Sequence, residues 1–289
     1  MHEQIGPVLS LLAAVCWGFN AIFISKGLKG SNSFAGAFFS MLIASLIYLI
    51  ANLLTGAINE TIPYENFLTL SFAGFVSFSL AYLFYFYSIG SIGVSRATSI
   101  TSSRPLIAAV LAVLLLGEVM TVPIGAGTVF MVAGVVLVTM RDQVTSKVKP
   151  RIGKFFAILT AFCWGLYPIL VKAGLQGLQS VFKASLIMMV MATALYVLLI
   201  ICVGRLRLLF SINKRSLRFF ALSGLANSSA NLLYFAALMI TQVTIVTPLS
   251  NLYPFFALIL GVIMLNEKAT LKIVFGTVLI FVGVLFITI

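Results

Sequence analysis

The sequence predicts an all-α integral membrane protein, with ten transmembrane helices arranged as two inverted five-helix repeats. Three observations lead to this prediction: the composition, the number of apolar runs, and a match of the chain to itself. Of the 289 residues, 62% are hydrophobic and 8% are charged, whereas a soluble domain carries about 25% charged residues. Such a chain would expose large apolar patches in water, which excludes a water-soluble enzyme, a disordered protein and a disulfide scaffold.

Ten apolar runs, uncharged apart from Arg104 in the fourth, have the length of a membrane helix, which is about 20 residues for a hydrocarbon core of ~30 Å. The first five runs lie at 7–25, 34–54, 67–89, 97–116 and 121–140. The second five lie at 155–171, 184–203, 219–240, 243–265 and 273–289. Barrel strands alternate in hydrophobicity over about ten residues. These runs are longer and continuously apolar, so each one predicts an α-helix.

The second half of the chain repeats the first. Leu12–Gly18 (LAAVCWG) matches Leu159–Gly165 (LTAFCWG) at an offset of 147. Further matches, at an offset of 149, are Pro105 with Pro254, Glu118 with Glu267, Gly127 with Gly276 and Gly134 with Gly283. Each copy holds five helices, an odd number, so the second copy enters the membrane from the opposite side, as in many secondary transporters. The predicted units are a first repeat at 7–140, a basic connector at 141–154 and an inverted second repeat at 155–289.

The few polar residues exclude several kinds of site. His2 is the only histidine, and the three cysteines lie in apolar runs without a CxxC spacing, so we expect no metal and no cofactor. The absence of a catalytic cluster predicts a protein that is not an enzyme. A net charge of +12 in so apolar a chain indicates anchoring to the anionic leaflet of a lipid bilayer and no nucleic-acid partner.

The paired motifs resemble those of the drug/metabolite transporter superfamily, and of its EamA-type branch in particular. The matching features are Trp17-Gly18 and Trp164-Gly165, Pro105 and Pro254, Gly117-Glu118 and Asn266-Glu267, and the glycine pairs of the fifth and tenth helices. The resemblance covers nearly the whole chain, with Asn266 as a departure from the Gly-Glu pattern. It implies a ten-helix transporter with alternating access, and its members move amino acids, nucleotide sugars, organophosphates, choline or drugs.

Arg104 is the most informative single residue. If the fourth helix begins near Ser95, Arg104 lies about 13 Å along it, close to the bilayer midplane. A charged residue at that depth is costly and marks a functional site. We expect its partner to be a substrate carboxylate or phosphate, or backbone carbonyls freed by Pro105; a brace for a kinked helix is the structural alternative. Arg96 lies at the mouth of the same path or snorkels to the interface.

Other polar and aromatic residues complete a predicted substrate site. Asn227, Asn231 and Tyr234 share one face of the eighth helix, where they either line a cavity or hydrogen-bond neighbouring helices. The remaining candidates are Trp17, Asn20, Tyr82, Tyr85, Trp164, Tyr167, Asn251 and Tyr253, of which the tryptophans have helix packing as an alternative role.

Prolines and acids mark the ends and bends of the helices. Pro105, Pro248 and Pro254 should kink the fourth and ninth helices and act in gating. Glu118 and Glu267 are expected to cap the helices that follow them, with a coupling role as the alternative.

These residues predict a secondary transporter of a small polar metabolite, an amino acid or another carboxylate-bearing solute, acting as facilitator, exchanger or exporter. No acid lies within an apolar run, whereas small multidrug antiporters of the superfamily depend on a Glu in the first helix. The alternatives are an organophosphate or nucleotide-sugar exchanger, a non-transporting membrane subunit, and a lipid-modifying membrane enzyme. We expect the protein to lie in a prokaryotic plasma membrane. We also expect a monomer, because both repeats occupy one chain.

Lys and Arg concentrate in the connectors after odd-numbered helices. The positive-inside rule therefore predicts that these connectors are cytoplasmic and that both termini are extracytoplasmic. Relatives are often described with cytoplasmic termini, so the resemblance implies the opposite orientation.

Overall fold

Helices account for nearly all of the chain in the computed structural model, which describes residues 5–92, 97, 100–139, 150–265 and 271–288. Those of the first repeat are α1 (Ile5–Leu28), α2 (Ser33–Thr55), α3 (Tyr64–Gly74, Phe75–Leu80 and Ala81–Ile92), α4 (Arg104–Leu116) and α5 (Val122–Thr139). Those of the second are α6 (Pro150–Leu175), α7 (Val181–Cys202), α8 (Lys214–Ile240), α9a (Val243–Ser250) with α9b (Tyr253–Leu265), and α10 (Leu271–Thr288). The predicted all-α fold of ten helices is confirmed over the described residues.

Helix length and surface composition both suit a bilayer. Over the described residues, five helical stretches are long and apolar enough to cross a membrane: Ile5–Leu28, Ser33–Thr55, Tyr64–Tyr85, Arg151–Leu175 and Val181–Cys202. Large apolar side chains face outward, among them Leu54 and Leu114, which are 83% and 72% exposed. The polar residues of α8 point the other way, since Ser228 and Asn231 are buried. Polar groups on the inside and apolar groups on the outside are what a hydrocarbon solvent requires.

The packing of α5 against α10 shows that the repeats are inverted. A Cβ atom at Gly127 would lie 2.7 Å from the carbonyl oxygen of Gly283, and one at Gly134 would lie 2.6 Å from that of Gly276. Residue numbers therefore rise along α5 as they fall along α10, which makes the helices antiparallel. These are the fifth helices of the two repeats, so equivalent helices run in opposite directions. Only glycine permits backbones to approach this closely.

The two repeats interlock rather than stand side by side. α1 packs along α8 and α9b, while α6, its equivalent, packs along α3 and α4. The Trp-Gly motifs explain these contacts: a Cβ at Gly18 would lie 2.9 Å from Phe256 Cβ, and one at Gly165 would lie 2.7 Å from Ile107 Cγ2. Each motif thus holds the first helix of one repeat against the fourth helix of the other.

Hydrogen bonds between connectors define the two faces of the molecule. Ser31 forms a β-bridge with Ile212, so the α1–α2 and α7–α8 connectors share one face, which we call the basic face. Its described cations are Lys26, Lys29, Arg151, Lys154, Arg205, Arg207, Lys214, Arg215 and Arg218. On the other side, which we call the opposite face, Gln179 N–H donates to Glu60 Oε1 at 2.9 Å, joining the α2–α3 and α6–α7 connectors.

Several helices are interrupted, or begin at a different residue from the one that the sequence predicts. α3 contains a π-helical segment at Phe75–Leu80, and α4 and α9b begin directly after turns at Ser102–Ser103 and Asn251–Leu252. Pro248 lies inside α9a without ending it. α6 begins at Pro150, within the segment interpreted as a connector, because proline is favoured in the first helical turn.

Candidate functional site

A cavity of about 640 Å³ lies between the repeats. It extends from the turns that precede α4 and α9b to Leu28 and Ser33 at the basic face. Eleven of the twelve predicted substrate residues line it: Trp17, Asn20, Tyr82, Tyr85, Arg104, Trp164, Tyr167, Asn227, Asn231, Tyr234 and Tyr253. The twelfth, Asn251, lies behind the wall and bonds to Arg104. The fold therefore brings together residues that are up to 236 positions apart in sequence, Trp17 and Tyr253.

Arg104 is held by an amide and two aromatic rings. Its Nε donates a hydrogen bond to Asn251 Oδ1 at 2.7 Å. Its guanidinium carbon lies 5.7 Å from the ring centroid of Trp164 and 5.2 Å from that of Tyr253. Both distances fall within the range of a cation–π interaction. Among the described residues, no carboxylate forms an ion pair with Arg104, and its Nη groups make no hydrogen bond.

Two helix breaks present this arginine to the cavity. Ser102 and Asn251 are equivalent residues of the repeats, and the side chain of Asn251 donates to the Ser102 carbonyl oxygen at 3.4 Å. Arg104 follows the first break and Tyr253 follows the second, so the equivalent positions carry a cation and an aromatic ring. The breaks face each other across the repeat interface. Pro105 and Pro254 come directly after them, where a missing backbone N–H costs nothing.

The two tryptophans hold equivalent positions in the cavity wall. Trp164 Nε1 donates to the Ser77 carbonyl oxygen at 3.1 Å, and Ser77 belongs to the π-helical segment of α3. Trp17 Nε1 donates to Asn227 Oδ1, also at 3.1 Å. Tyr85 lies beside Trp164, with ring centroids 5.1 Å apart. The two tryptophans therefore both contact neighbouring helices and line the cavity, two roles that the sequence presents as alternatives.

The α8 side of the cavity is a network of neutral hydrogen-bonding groups. Ser223 Oγ donates to Asn20 Oδ1 at 2.6 Å and lies 3.1 Å from Ser40 Oγ. Deeper in the wall, Tyr167 OH donates to Asn231 Oδ1 at 3.2 Å. These polar residues both join helices and line the cavity, which combines the two roles considered from sequence.

Sequence reasoning missed the whole contribution of α2. Ser33, Gly36, Ala37, Ser40 and Met41 line the cavity, at the spacing of one helix face. Small residues at this spacing are an available signal, but they also occur wherever helices pack closely in membranes. These residues of α2 therefore do not indicate a cavity until the positions of the neighbouring helices are known.

Glu118 caps a helix, but not the helix that follows it. Its Oε1 accepts from Val243 N at 2.8 Å, and its Oε2 accepts from Thr244 N at 3.0 Å and from Thr244 Oγ1 at 3.1 Å. It thus caps α9a, in the other repeat. Lys172 Nζ completes the site, 2.9 Å from Glu118 Oε1. The side chain turns there because Gly117, with φ +66°, folds the chain back after α4.

Four residues singled out from the sequence lie outside the described residues. They are His2, Arg96, Asn266 and Glu267.

Residues 4–140 and 151–289 each match the EamA-like transporter family. The chain belongs to this family. The EamA family is part of the drug/metabolite transporter superfamily, so the resemblance noted from the motifs is confirmed. The protein is therefore a multi-pass membrane transporter.

Relatives of this EamA transporter support the family assignment. An uncharacterized transporter of Archaeoglobus fulgidus is 28% identical over 287 residues, which cover 96% of each chain. An uncharacterized transporter of a Sinorhizobium species is 32% identical over 136 residues, 47% of this chain and 96% of that protein. A solved crystal structure, 17% identical, superposes with a TM-score of 0.80 over 98% of this chain and 97% of its own, which shows the same fold.

Proposed function

We propose that this EamA transporter moves a small carboxylate-bearing solute, an amino acid or a similar organic acid, by alternating access. One observation carries the proposal: Arg104 lines the cavity without a carboxylate partner among the described residues. A planar guanidinium binds a carboxylate with two parallel hydrogen bonds. Its neighbours on the wall are neutral, so a bound anion supplies the charge that balances it.

The other lining residues favour particular chemical groups in the rest of the solute. Eight lining side chains are aromatic: Trp17, Phe78, Tyr82, Tyr85, Trp164, Tyr167, Tyr234 and Tyr253. They favour a solute with an apolar or aromatic body, while the amides and hydroxyls on the α8 side suit a second polar group. No lining residue of the described chain is acidic, which disfavours an organic cation. A single arginine also suits a monoanion better than a phosphate dianion.

The mode of transport follows from the same residues. The cavity lies at the interface of two inverted repeats, where exchange between two arrangements can open it to either side. No acid of the described lining offers a proton-carrying group. We therefore propose that this transporter is a facilitator, an exchanger or an exporter. Its relatives in Archaeoglobus fulgidus and Sinorhizobium support the plasma membrane of a prokaryote as its location. Both repeats of one chain complete the cavity, so a monomer suffices.

Transport into proteoliposomes tests the proposal. Purified protein is reconstituted and offered radiolabelled amino acids, other carboxylates, sugar phosphates and quaternary amines. We expect saturable uptake of carboxylates, reduced roughly 10- to 100-fold by Arg104→Gln, since a hydrogen bond to a charged group contributes about 1.5–3 kcal/mol. Arg218→Gln, which removes a cation of the basic face, is the matched control and should transport normally. Uptake of quaternary amines alone, undiminished in Arg104→Gln, contradicts the proposal.

A further inference from the structure

The cavity is open toward one face and sealed toward the other. Ile24 and Leu28 line it near the basic face. Their equivalents in the second repeat, at an offset of 147, are Val171 and Leu175, and these are 0% and 3% exposed. No described residue from the opposite-face ends of the helices lines the cavity. Equivalent positions thus line the cavity in one repeat and lie in a packed core in the other.

Polar contacts lie across the sealed side and connect the repeats. Glu118 belongs to the first repeat, whereas Lys172, Val243 and Thr244 belong to the second. Lys172 Nζ is 2.9 Å from Glu118 Oε1 and donates to the Thr241 carbonyl oxygen at 2.9 Å. Glu118 is only 9% exposed, and both of its carboxylate oxygens accept hydrogen bonds from α9a. Separating the repeats at this face requires breaking these contacts.

The sequence of the first repeat does not supply the lysine of this pair. The residue equivalent to Lys172 in the first repeat is Ser25, which has no charge. Lys172 therefore has no charged equivalent at this position of the first repeat. The asymmetry favours closure of one face over the other.

Two helices connect this ion pair with the substrate site. α4 begins at Arg104 and is followed by Glu118, and α9a begins at Val243 and is followed by Asn251. Arg104 bonds to Asn251 at the cavity end, and Glu118 bonds to Val243 at the opposite face. The antiparallel pair α4 and α9a, which are in contact, is thus joined at both ends. An anion that binds the Nη groups of Arg104 changes the charge at one of these joints, beside the hydrogen bond from Nε to Asn251.

We propose that Glu118 and Lys172 form the gate of the opposite face, and that α4 and α9a couple this gate to the occupancy of Arg104. The proposal rests on the proposed transport function, because a gate has a role only if the cavity carries a solute. In the open state of this face, Lys172 leaves Glu118, α9a moves away from α4, and the core around Leu175 becomes accessible. The region around Leu28 closes in the same step, as the symmetry of the repeats requires.

Cysteine accessibility in lipid nanodiscs tests the gate without a known substrate. Both faces are reachable in a nanodisc, so the result does not depend on orientation in a vesicle. The probes are Leu28→Cys and Leu175→Cys, equivalent residues of the two repeats, in a chain whose Cys16, Cys163 and Cys202 are replaced by alanine. The reaction rate with a water-soluble maleimide is measured for each probe. Because no transport is assayed, failure of this test is distinct from failure of the transport assay.

The gate predicts a reciprocal change in the two rates. Without a gate substitution, Leu28→Cys reacts at least about tenfold faster than Leu175→Cys. Lys172→Met should raise the rate of Leu175→Cys by about tenfold and lower that of Leu28→Cys, a shift typical of coupled two-state elements. Glu118→Gln, which keeps the shape of the side chain, should act in the same direction. Lys183→Met removes a lysine of the same face that donates to the Ile58 carbonyl oxygen and should change neither rate.

Three results overturn the proposal. The first is an unchanged ratio of rates in both Lys172→Met and Glu118→Gln. The second is a rise at both probes, which indicates general loosening of the bundle. The third is a rise at Leu175→Cys without the fall at Leu28→Cys, which separates the ion pair from exchange between the two faces.

Discussion

Arg104 carries a positive charge between apolar helices, and its surroundings make that position tolerable. The hydrogen bond from Nε to Asn251 replaces part of its hydration, and the rings of Trp164 and Tyr253 lie within cation–π distance. Such ring contacts contribute about 0.5–2 kcal/mol each. A full salt bridge would stabilise the charge more, but it would also remove the charge from ligand binding. Asn251 therefore positions Arg104 without neutralising it.

The difference between an amide and a carboxylate at residue 251 gives a direct prediction. Asn251→Asp keeps the shape of the side chain but adds an acid 2.7 Å from Arg104 Nε. We expect the new ion pair to compete with the solute and to raise the KM for carboxylate uptake by roughly tenfold or more. Asn251→Ala loosens Arg104 without neutralising it, so its KM should rise less. Uptake in proteoliposomes and the monodispersity of each variant are measured together; a KM for Asn251→Asp equal to that of the wild type contradicts the prediction.

The sequence points to individual site residues more reliably than to their partners. Arg104 and Asn251 are both candidates because polar residues in membrane helices face the interior. Their contact joins residues 147 positions apart and depends on how α4 meets α9. For the same reason the helix that Glu118 caps could not be identified, since the nearest N-terminus along the chain is that of α5, whereas the nearest in space is that of α9a.

At the scale of helices, the pair α5 and α10 depends on backbone contact. Neither helix contributes a lining residue to the cavity over the described residues, and their crossing is built on Gly127 and Gly134 against Gly283 and Gly276. The paired glycines were visible in the sequence as matching positions. Only their antiparallel meeting in the structure explains why the same two positions recur in both repeats.

Two glycines of α5 provide a matched test of this packing. A Cβ at Gly134 would lie 2.6 Å from the Gly276 carbonyl oxygen, whereas one at Gly125 would meet nothing closer than Met120 Cε at 3.5 Å. We expect Gly134→Ala to lower the thermal stability of the purified protein, because overpacking costs about 1–3 kcal/mol. Gly125→Ala should be neutral or stabilising, since alanine is the better helix former. Unfolding followed by loss of the monodisperse peak on heating compares the two; equal Tm values contradict the role given to Gly134.

At the scale of the whole molecule, duplication made the fold predictable. Ten apolar runs and a repeat of five helices lead to inverted topology by counting alone, and the antiparallel α5 and α10 confirm it. The face to which the cavity opens could not be predicted from the sequence in the same way. Leu28 and Leu175 match in sequence, yet one lines the cavity and the other is buried. Two equivalent sequences allow either face to be open, so the choice depends on asymmetric contacts such as Lys172 with Glu118.

Orientation in the membrane also belongs to the whole molecule. The α1–α2 and α7–α8 connectors meet at the basic face, where the described cations cluster. The described charges near the opposite face are Lys172, Lys183, Glu60, Glu65 and Glu118. The positive-inside rule predicts that the basic face lies in the cytoplasm. The cavity of this structure would then open to the cytoplasm, and the gate at Glu118 and Lys172 would close the external side.

Labelling of intact cells tests this orientation. Ser211→Cys and Gln176→Cys place an exposed thiol on the basic and the opposite face, in a chain whose native cysteines are replaced by alanine. We expect a membrane-impermeant maleimide to label Gln176→Cys in intact cells and Ser211→Cys only after permeabilisation, because a cytoplasmic thiol is shielded by the bilayer. Labelling of both residues in permeabilised cells is the control for reactivity. The reverse pattern in intact cells would place the basic face outside, and the cavity described here would then open to the exterior.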